Sequence, residues 1–365
     1  MKKWIAFDIG TCMIQMAVIQ NGQPFVKSYS LSSEENIYYT NDPKLNEGRL
    51  SFVTRFIKLY KATDVVFVIP PNVNKTYTSA LYDVARKELT GEIRFIESSN
   101  AAIALYSYLI GRKCNGNNLV IDFGYRKTIL SFKKSGKEND SETIVFDTLG
   151  VSHIDNQLLS YINKKEAPCI YKKQEICKAR EGLSYGYSSH LSQDNGCLCE
   201  FNRDEFNAIF DLNMNYWDAL KKYNDIDRIF LIGGGSLIPR FTELLLQRVT
   251  ENGLSKTRII RGLKTNKGSY HCQTAPVIGA LIHSANKNDS YLSDSLLLKQ
   301  CSNPYCRIVQ SEKNVECETC NVNIEAEAFY RCSNCGTVVT KLFFDNNNNF
   351  CCYCGKHKME LINNI

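Results

Sequence analysis

The chain reads as a mixed α/β protein of two similar halves, closed by a small cysteine-rich module. Three features give that expectation. Two apolar runs end in Asp-x-Gly and pass straight into a second apolar run, at Asp8–Gly10 and again at Asp122–Gly124. Stretches with helical apolar spacing lie between and after these pairs, the alternation from which α/β layers are built. Nine of the 16 cysteines fall between Cys301 and Cys354.

At 365 residues the chain has room for two or three domains, each with its own core. Hydrophobic residues make up 44% and charged residues 22%, so long disorder is not the default. A net charge of +6 is mild and does not point to nucleic acid. Lys2-Lys3 followed by Trp4-Ile5-Ala6-Phe7 begins like a secretion signal, but Asp8 interrupts the apolar run too early. No stretch approaches the ~20 apolar residues that span a bilayer. A secreted disulfide protein would not gather its cysteines as Cys-x-x-Cys pairs in one tail. A reducing, cytoplasmic setting, a bound metal and no membrane are therefore expected.

Trp4 to Ile9 and Met13 to Ile19 read as strands joined through Gly10-Thr11-Cys12, and Asn21-Gly22 is a turn signal. Val65 to Ile69, closed by Pro70-Pro71, has the continuous apolar run of a buried strand. Helical spacing runs from Tyr77 to Leu89, Gly91 stops it, and Ile93 to Ile96 is a short strand. Ser99-Asn100 caps an expected helix over Ala101 to Ile110, which ends at Gly111. Asn118 to Asp122 and Thr128 to Phe132 repeat the strand pair. Helices are expected over Ile154–Ile162, Gln174–Leu183 and Arg203–Lys222. Arg228 to Ile232 is a strand running into Gly233-Gly234-Gly235-Ser236, and Ile238 to Val249 is a helix. Another helix covers Thr274 to Ala285, with Pro276 in its first turn. The polar stretch Asn286 to Ser295 reads as a linker. The resulting division is 1–286 for the α/β part, 287–300 for the linker and 301–365 for the module.

Three segments point to phosphate chemistry. In Phe7-Asp8-Ile9-Gly10-Thr11 a strand ends in a carboxylate and turns through glycine. Without a Cβ, backbone N–H groups can approach phosphate oxygens closely, and the carboxylate can hold Mg²⁺ through water. Thr11 adds a hydroxyl. Val120-Ile121-Asp122-Phe123-Gly124 repeats the arrangement. The Gly233–Ser236 turn makes room for a flat ring or a phosphate and aims a helix N-terminus at it. Singly, each pattern also fits an ordinary packing turn.

Together, their order and spacing resemble the two-lobed ATPase domain shared by actin-like proteins and DnaK-type (Hsp70-like) heat-shock chaperones, over about residues 3 to 286. Within that superfamily the chain is most similar to the chaperones. Val66-Phe67-Val68-Ile69-Pro70, Ile96-Glu97-Ser98-Ser99-Asn100-Ala101-Ala102, Leu149-Gly150 with Asp155-Asn156, Ala179-Arg180-Glu181-Gly182-Leu183-Ser184 and Gly233-Gly234-Gly235-Ser236-Leu237-Ile238-Pro239-Arg240 each resemble a chaperone segment. Asp294-Ser295-Leu296-Leu297-Leu298 is similar to the linker that follows the chaperone ATPase domain, and fits a short amphipathic linker equally. The resemblance implies two lobes facing a cleft that holds ATP or ADP with Mg²⁺. It implies that Asp8, Glu97 and Asp122 order Mg²⁺ and water, and that Gly10, Thr11, Gly124, Lys127 and Thr128 lie on the phosphates. Arg180 and Ser184, with Gly233, Gly234, Gly235 and Ser236, would lie on the adenosine.

The chain departs from the chaperone pattern in three places. Only about 55 residues separate Thr11 from Val66, so the upper subdomain of the first half is reduced and the family's catalytic lysine has no counterpart. In the second hairpin Tyr125 and Arg126 stand at glycine positions and Lys127 at a threonine position, where Arg126 or Lys127 would bind phosphate by charge. No peptide-binding β-domain follows. Nucleotide binding with slow or absent hydrolysis is the expectation.

The module carries Cys301-x₄-Cys306, Cys317-x₂-Cys320, Cys332-x₂-Cys335 and Cys351-x₂-Cys354. A Cys-x-x-Cys turn presents two thiolates to one side of a tetrahedral Zn²⁺. The first two pairs would make one site and the last two another, as in a double zinc ribbon, with Cys352 and His357 as alternative ligands of the second. Seven basic and seven acidic side chains lie between Lys299 and the end. Each four-thiolate zinc site adds negative charge, which argues for a protein partner and against nucleic acid. His153 and His190 are isolated, and Cys197-x-Cys199 has no nearby pair, so they read as structural.

These readings give a nucleotide-dependent, chaperone-like switch whose zinc module binds a protein partner or client. The alternative is an actin-like filament or scaffold protein that self-assembles. A small-molecule kinase ranks below both, because no acceptor-site base stands out. Metal analysis of the purified chain is expected to give two zinc ions per molecule. Serines at Cys351 and Cys354 should leave one, and a metal-free wild type would sink the ribbon.

Overall fold

The computed structural model describes residues 2–10, 13–20, 22–30, 47–71, 73–135, 141–166, 169–183, 188–192, 198–212, 219–220, 222–223, 225–254, 257–265 and 268–285. It adds the backbone of five short strands between Leu298 and Ile362. The chain forms two compact units. The first holds 1–115, 262–340 and 360–365; the second holds 116–261 and 341–359.

In the first unit β1 (Trp4–Ile9), β2 (Met13–Gln20) and β3 (Gln23–Ser30) form an antiparallel meander, with Asp8 opposite Gln15. Helix α1 (Glu47–Tyr60) leads to β4 (Asp64–Ile69), parallel to β1. Helix α2 (Lys75–Glu88) leads to β5 (Ile93–Glu97), parallel to β4, and α3 (Ser98–Ile110) follows. The strand order is β3-β2-β1-β4-β5. Strand β4 reads Asp-Val-Val-Phe-Val-Ile without alternation because both of its faces are buried. Phe7, Phe67 and Phe95 occupy matched positions on β1, β4 and β5. Their rings stack in sequence at 5.8 and 5.5 Å, so one face of the sheet is pinned by a three-ring ladder.

The helices start and stop for local reasons. The Asn74 side chain accepts a hydrogen bond from Thr76 N–H and caps α2, whose buried face is Tyr77, Leu81 and Ala85. Gly111 ends α3 at φ 69°, the left-handed conformation of a helix C-terminus. Helix α8 (Ala275–Ser284) is apolar on nearly every side and packs on α3 within the same unit. Gly279 makes the crossing close: a Cβ there would lie 1.9 Å from the Ala101 carbonyl oxygen.

The second unit repeats the plan. Strands β6 (Asn118–Phe123), β7 (Thr128–Lys133) and β8 (Ser141–Phe146) form the meander. Helices α4 (Val151–Lys165) and α5 (Lys173–Gly182), the hairpin β9 (Ser188–Ser192) with β10 (Leu198–Asn202), and α6 (Arg203–Leu212) precede β11 (Arg228–Ile232). A 3₁₀ turn (Gly234–Leu237), α7 (Pro239–Glu251) and β12 (Arg258–Ile260) complete it. Both β11 and β12 are parallel to β6, giving the order β8-β7-β6-β11-β12. Asn202 and Glu205 form a reciprocal capping box at the start of α6: each backbone N–H donates to the other's side-chain oxygen at 3.0 Å. The two sheets thus share one order of meander and parallel crossovers, as the twin hairpins in the sequence led one to expect.

After β12, β13 (Gly262–Thr265) and β14 (Gly268–His271) form a hairpin. In the tail, β15 (Leu298–Gln300) pairs with β16 (Val309–Ser311), and β16 extends the first sheet by pairing Val309 with Val26 of β3. Strands β17 (Phe329–Cys332), β18 (Val338–Thr340) and β19 (Met359–Ile362) form a small sheet in the order β18-β17-β19.

Several elements have no counterpart in the sequence reading: α1, β3, β8, the β9–β10 hairpin and β12 to β14. Helix α6 is described to Leu212; of its expected extension to Lys222, residues 213–218 and 221 lie outside the described residues. Of the expected linker and the acidic-leucine segment, residues 286–297 lie outside the described residues, and Leu298 begins β15. Cys114, Cys177, Cys199 and Cys272 carry no disulfide, and Cys169 is disulfide-bonded. Among the described residues no helix is long and apolar enough to cross a membrane. Gly279→Ala is expected to lower unfolding stability by about 1–3 kcal/mol, the range for forced overpacking, measured by denaturant titration. Gly253→Ala, where a Cβ meets no atom within 4 Å and only φ +72° opposes it, should cost less.

Candidate functional site

The two Asp-x-Gly hairpins are built alike. In β1 and in β6 every residue is buried except the aspartate, Asp8 or Asp122, which is half-buried. In both the next residue but one is glycine, and its N–H closes the turn. Gly10 N–H donates to the Met13 carbonyl at 2.9 Å, and Gly124 N–H to the Lys127 carbonyl at 3.0 Å. A Cβ on either glycine would come within 2.8 or 3.0 Å of those carbonyl oxygens. Thr11 lies outside the described residues.

Within the first unit Asp8 and Glu97 both end parallel strands. Asp8 is level with Val68 on β4, and Glu97 with Ile69 on the same strand. Two strand spacings put their Cα atoms roughly 10 Å apart. Glu97 precedes α3, and the Ser99 hydroxyl donates to its Oε2 at 3.5 Å.

In the second unit three expected segments come together. Gly233 sits at φ +82° with the Asp122 carboxylate against it: a Cβ would fall 2.6 Å from Asp122 Oδ1. Gly235 is pressed on the Phe123 ring, where a Cβ would lie at 2.7 Å, while Gly234 is exposed and faces open space. Two of the three glycines are therefore fixed by packing, and one leaves an open surface beside the aspartate-bearing hairpin. That hairpin is held by the start of α4. Val151 N–H donates to the Gly124 carbonyl and Ser152 N–H to the Tyr125 carbonyl, at 3.1 and 2.6 Å. Gly150 permits the approach, since its Cβ would lie 2.2 Å from the Arg126 carbonyl carbon. Arg126 is exposed and Lys127 half-buried.

Two hydroxyls assigned to ligand turn inward instead. Thr128 is fully buried and donates to the Leu149 carbonyl. Ser236 is fully buried and donates to the Ile232 carbonyl at 2.7 Å. Both hold the loops that carry the glycines.

Helices α5 and α6 and the entry to α7 line one shallow, open depression. Arg180 comes from α5 and Leu183 directly follows it, Arg203 and Phe206 come from α6, Ile238 precedes α7 and Arg240 lies in its first turn. The two segments assigned to adenosine by resemblance thus line the same depression, though Ser184 lies outside the described residues. The arginines are engaged by the protein. Arg180 Nε meets Asp155 Oδ1 at 2.5 Å, and Arg203 donates to the Leu183 carbonyl at 2.8 Å. Arg240 makes a two-pronged pair with Asp211 and a third contact to Glu243, and the Asp211 hydrogen bond pushes its already high pKa further up. Cys177, one turn before Arg180, donates its thiol to Asp155 Oδ2 at 3.1 Å. Burial and then the Asp155 charge push that thiol up to about 12, so it stays a protonated donor. The Tyr125 hydroxyl lies 3.9 Å from the same sulfur.

Sequence reading missed Cys177, Arg203 and Phe206. The available signals were the Cys177/Arg180 i,i+3 spacing on α5 and the placement of Arg203 directly after a helix cap. Of the expected zinc ligands, Cys301, Cys306, Cys317, Cys320, Cys335, Cys351 and Cys354 lie outside the described residues, and Cys332 is described by its backbone alone, as the last residue of β17. Among the described residues no cluster of His, Cys, Asp and Glu could hold a metal ion.

No protein-family model matches the chain, and a search of curated proteins finds no match.

The glycine turn gives a paired test. Gly235→Ala should cost about 1–3 kcal/mol because the Phe123 ring must move, and Gly234→Ala should stay within about 0.5 kcal/mol. Equal losses in thermal melts of the two variants would contradict this packing.

Proposed function

We propose that this chain binds ATP or ADP with Mg²⁺ and acts as a nucleotide-dependent, chaperone-like switch, with slow hydrolysis, and that its zinc module docks a protein partner. The observation that carries the reading is the repetition of one plan: two sheets of the same strand order, each with an aspartate that is the one half-buried residue of its first strand, followed by a glycine-closed hairpin. Sheet order and hairpin both agree with the actin- and heat-shock-type ATPase fold that the sequence resembles.

The residues present fit a nucleotide. Asp122 lies beside the open Gly234 surface, and Arg180 and Leu183 meet Ile238 and Phe206 at a shallow open depression. Within the first unit Asp8 and Glu97 would hold Mg²⁺ through water and the Gly10 hairpin would hold phosphate; within the second, Asp122 would hold Mg²⁺ and the Gly124 hairpin with Arg126 or Lys127 would hold phosphate. Mg²⁺ supplies neutralisation of phosphate charge. Slow turnover follows from Tyr125 and Arg126 standing where glycines would bring backbone N–H groups closest, and from the lack of a lysine counterpart in the short first half. Zinc is supported by the cysteine spacing of the tail, in which Cys332 is the last residue of β17 and begins the third Cys-x-x-Cys pair.

Isothermal titration of Mg²⁺-ATP and Mg²⁺-ADP into metal-replete protein is expected to show saturable binding. Asp8→Asn or Asp122→Asn should weaken it by about tenfold or more, the weight of one good polar contact. No binding heat for the wild type would defeat the nucleotide reading. Turnover at the rate of ordinary heat-shock chaperones would defeat slow hydrolysis, and filaments in negative stain with ATP would favour the actin-like alternative.

A further inference from the structure

We propose that the tail strand β16 is a zinc-held cover for the outer side of β3: zinc at the first cysteine site keeps the β15–β16 hairpin on the first sheet, and loss of that zinc uncovers the strand. The proposal rests on the zinc reading and deepens it, and it does not depend on the nucleotide.

Strand β3 matches β2 along all eight of its residues, from Gln23 opposite Gln20 to Ser30 opposite Met13. On its other side the neighbour is β16. That neighbour comes from the tail. It meets β3 at Val309 opposite Val26, and β15 lines it in turn, from Leu298 opposite Ser311 to Gln300 opposite Val309. Without β16, the outer side of β3 would offer a row of free N–H and C=O groups to any extended chain.

The sequence of β3 is suited to standing uncovered. Pro24 has no N–H to give a ladder, and the half-buried Lys27 holds its ammonium 5.3 Å over the Phe25 ring. Proline and lysine are the residues by which edge strands discourage foreign pairing. A strand with a permanent neighbour on both sides needs neither. The two bracket Val26, the residue that β16 meets. The chain thus carries a cover for this edge and protection for the times without it.

The cover is too short to hold by itself. Strands β15 and β16 have three residues each, and even a longer isolated hairpin is marginal in water. Small elements of this kind need a staple, and the cysteine spacing supplies one. Cys301 directly follows β15, and Cys306 stands three residues before β16. Cys317 and Cys320 follow β16 by six and nine residues. These four are the ligands expected of the first site. One Zn²⁺ drawing them together ties the chain before β16 to the chain after it, so the free energy of metal binding becomes free energy of holding the strand.

The test is hydrogen–deuterium exchange of the full chain, read over residues 25–28 of β3, with β4 and β6 as references and zinc content measured in each sample. Chelation of the zinc-loaded wild type is expected to raise exchange over 25–28 by about tenfold or more, with β4 and β6 unchanged. Cys317→Ser with Cys320→Ser should do the same without a chelator. Cys351→Ser with Cys354→Ser, which empties the second site alone, should leave 25–28 protected. Val309→Pro removes a ladder donor and no ligand, so it should open 25–28 while zinc content stays at the wild-type level. Several results would overturn the proposal: 25–28 still protected once the first site is empty or β16 carries the proline, a rise shared equally by β4 and β6, or a rise that the second-site variant reproduces. If the Cys317 and Cys320 variant fails to fold, chelation of the wild type decides, and return of zinc must restore protection. A wild type that contains no zinc removes the zinc reading and this proposal with it. A wild type that holds zinc, and whose 25–28 exchange ignores its removal, removes this proposal alone.

Discussion

The structure depends on one small constraint applied twice: a strand must turn immediately after an aspartate, through a glycine whose N–H closes on a carbonyl three residues later. At Gly10 and Gly124 there is no room for a Cβ beside that carbonyl. The tight closure sets the hairpin register, placing Asp8 opposite Gln15 and Asp122 opposite Ile129. With that register fixed, the buried sides of β1 and β6 face their cores and each aspartate is left at the strand's exposed end. Each of these strands then accepts a parallel neighbour on its other side, β4 or β11, and the order of both sheets follows.

In the second unit the same strand end organises several elements. Phe123, next to Asp122, buries its ring against Phe241 of α7 at 4.7 Å and edge-on to Phe210 of α6 at 6.4 Å. The ring also sets how closely the glycine turn approaches, because Gly235 packs on it. Side chains alternate across a strand, so one residue anchors the core while its neighbour presents a carboxylate. The amides at the start of α4 hold the hairpin from behind, satisfying helix-end donors that would otherwise need a cap. Buried hydroxyls of Thr128 and Ser236 are spent on loop carbonyls. The cost of burying them is offset by hydrogen bonds that stiffen the glycine-bearing segments.

Legibility differed by element for physical reasons. Strands β1, β4, β6 and β11 were plain because central parallel strands are apolar on both faces. Helices α2, α4, α5 and α7 showed one apolar stripe each. Strand β3, between β2 and β16, and the edge strand β8 were missed: Gln23-Pro-Phe-Val-Lys-Ser-Tyr-Ser and Ser141-Glu-Thr-Ile-Val-Phe carry mixed polarity without a clean alternation. Helix α1 was missed although its Phe52 and Phe56 rings pack on each other and on Tyr29. Its Gly, Ser, Thr and Arg residues blur the stripe. At the site, glycines and aspartates were legible because the turn demands those residue types. The inward hydrogen bonds of Thr128 and Ser236 were not legible, because a hydroxyl donates as readily to a backbone carbonyl as to a phosphate.

The sequence by itself determined the twin Asp-x-Gly hairpins, the glycine turn and the cysteine spacing of the tail, because each is a local requirement of backbone geometry or ligand number that no distant residue can alter. Only the tertiary structure decided which side of each segment meets a neighbour. It set Gly233 and Gly235 against the second hairpin and left Gly234 open. It also brought Asp155 and Cys177, 22 residues apart, together with Arg180, since helix packing and not sequence distance determines which side chains share a buried volume.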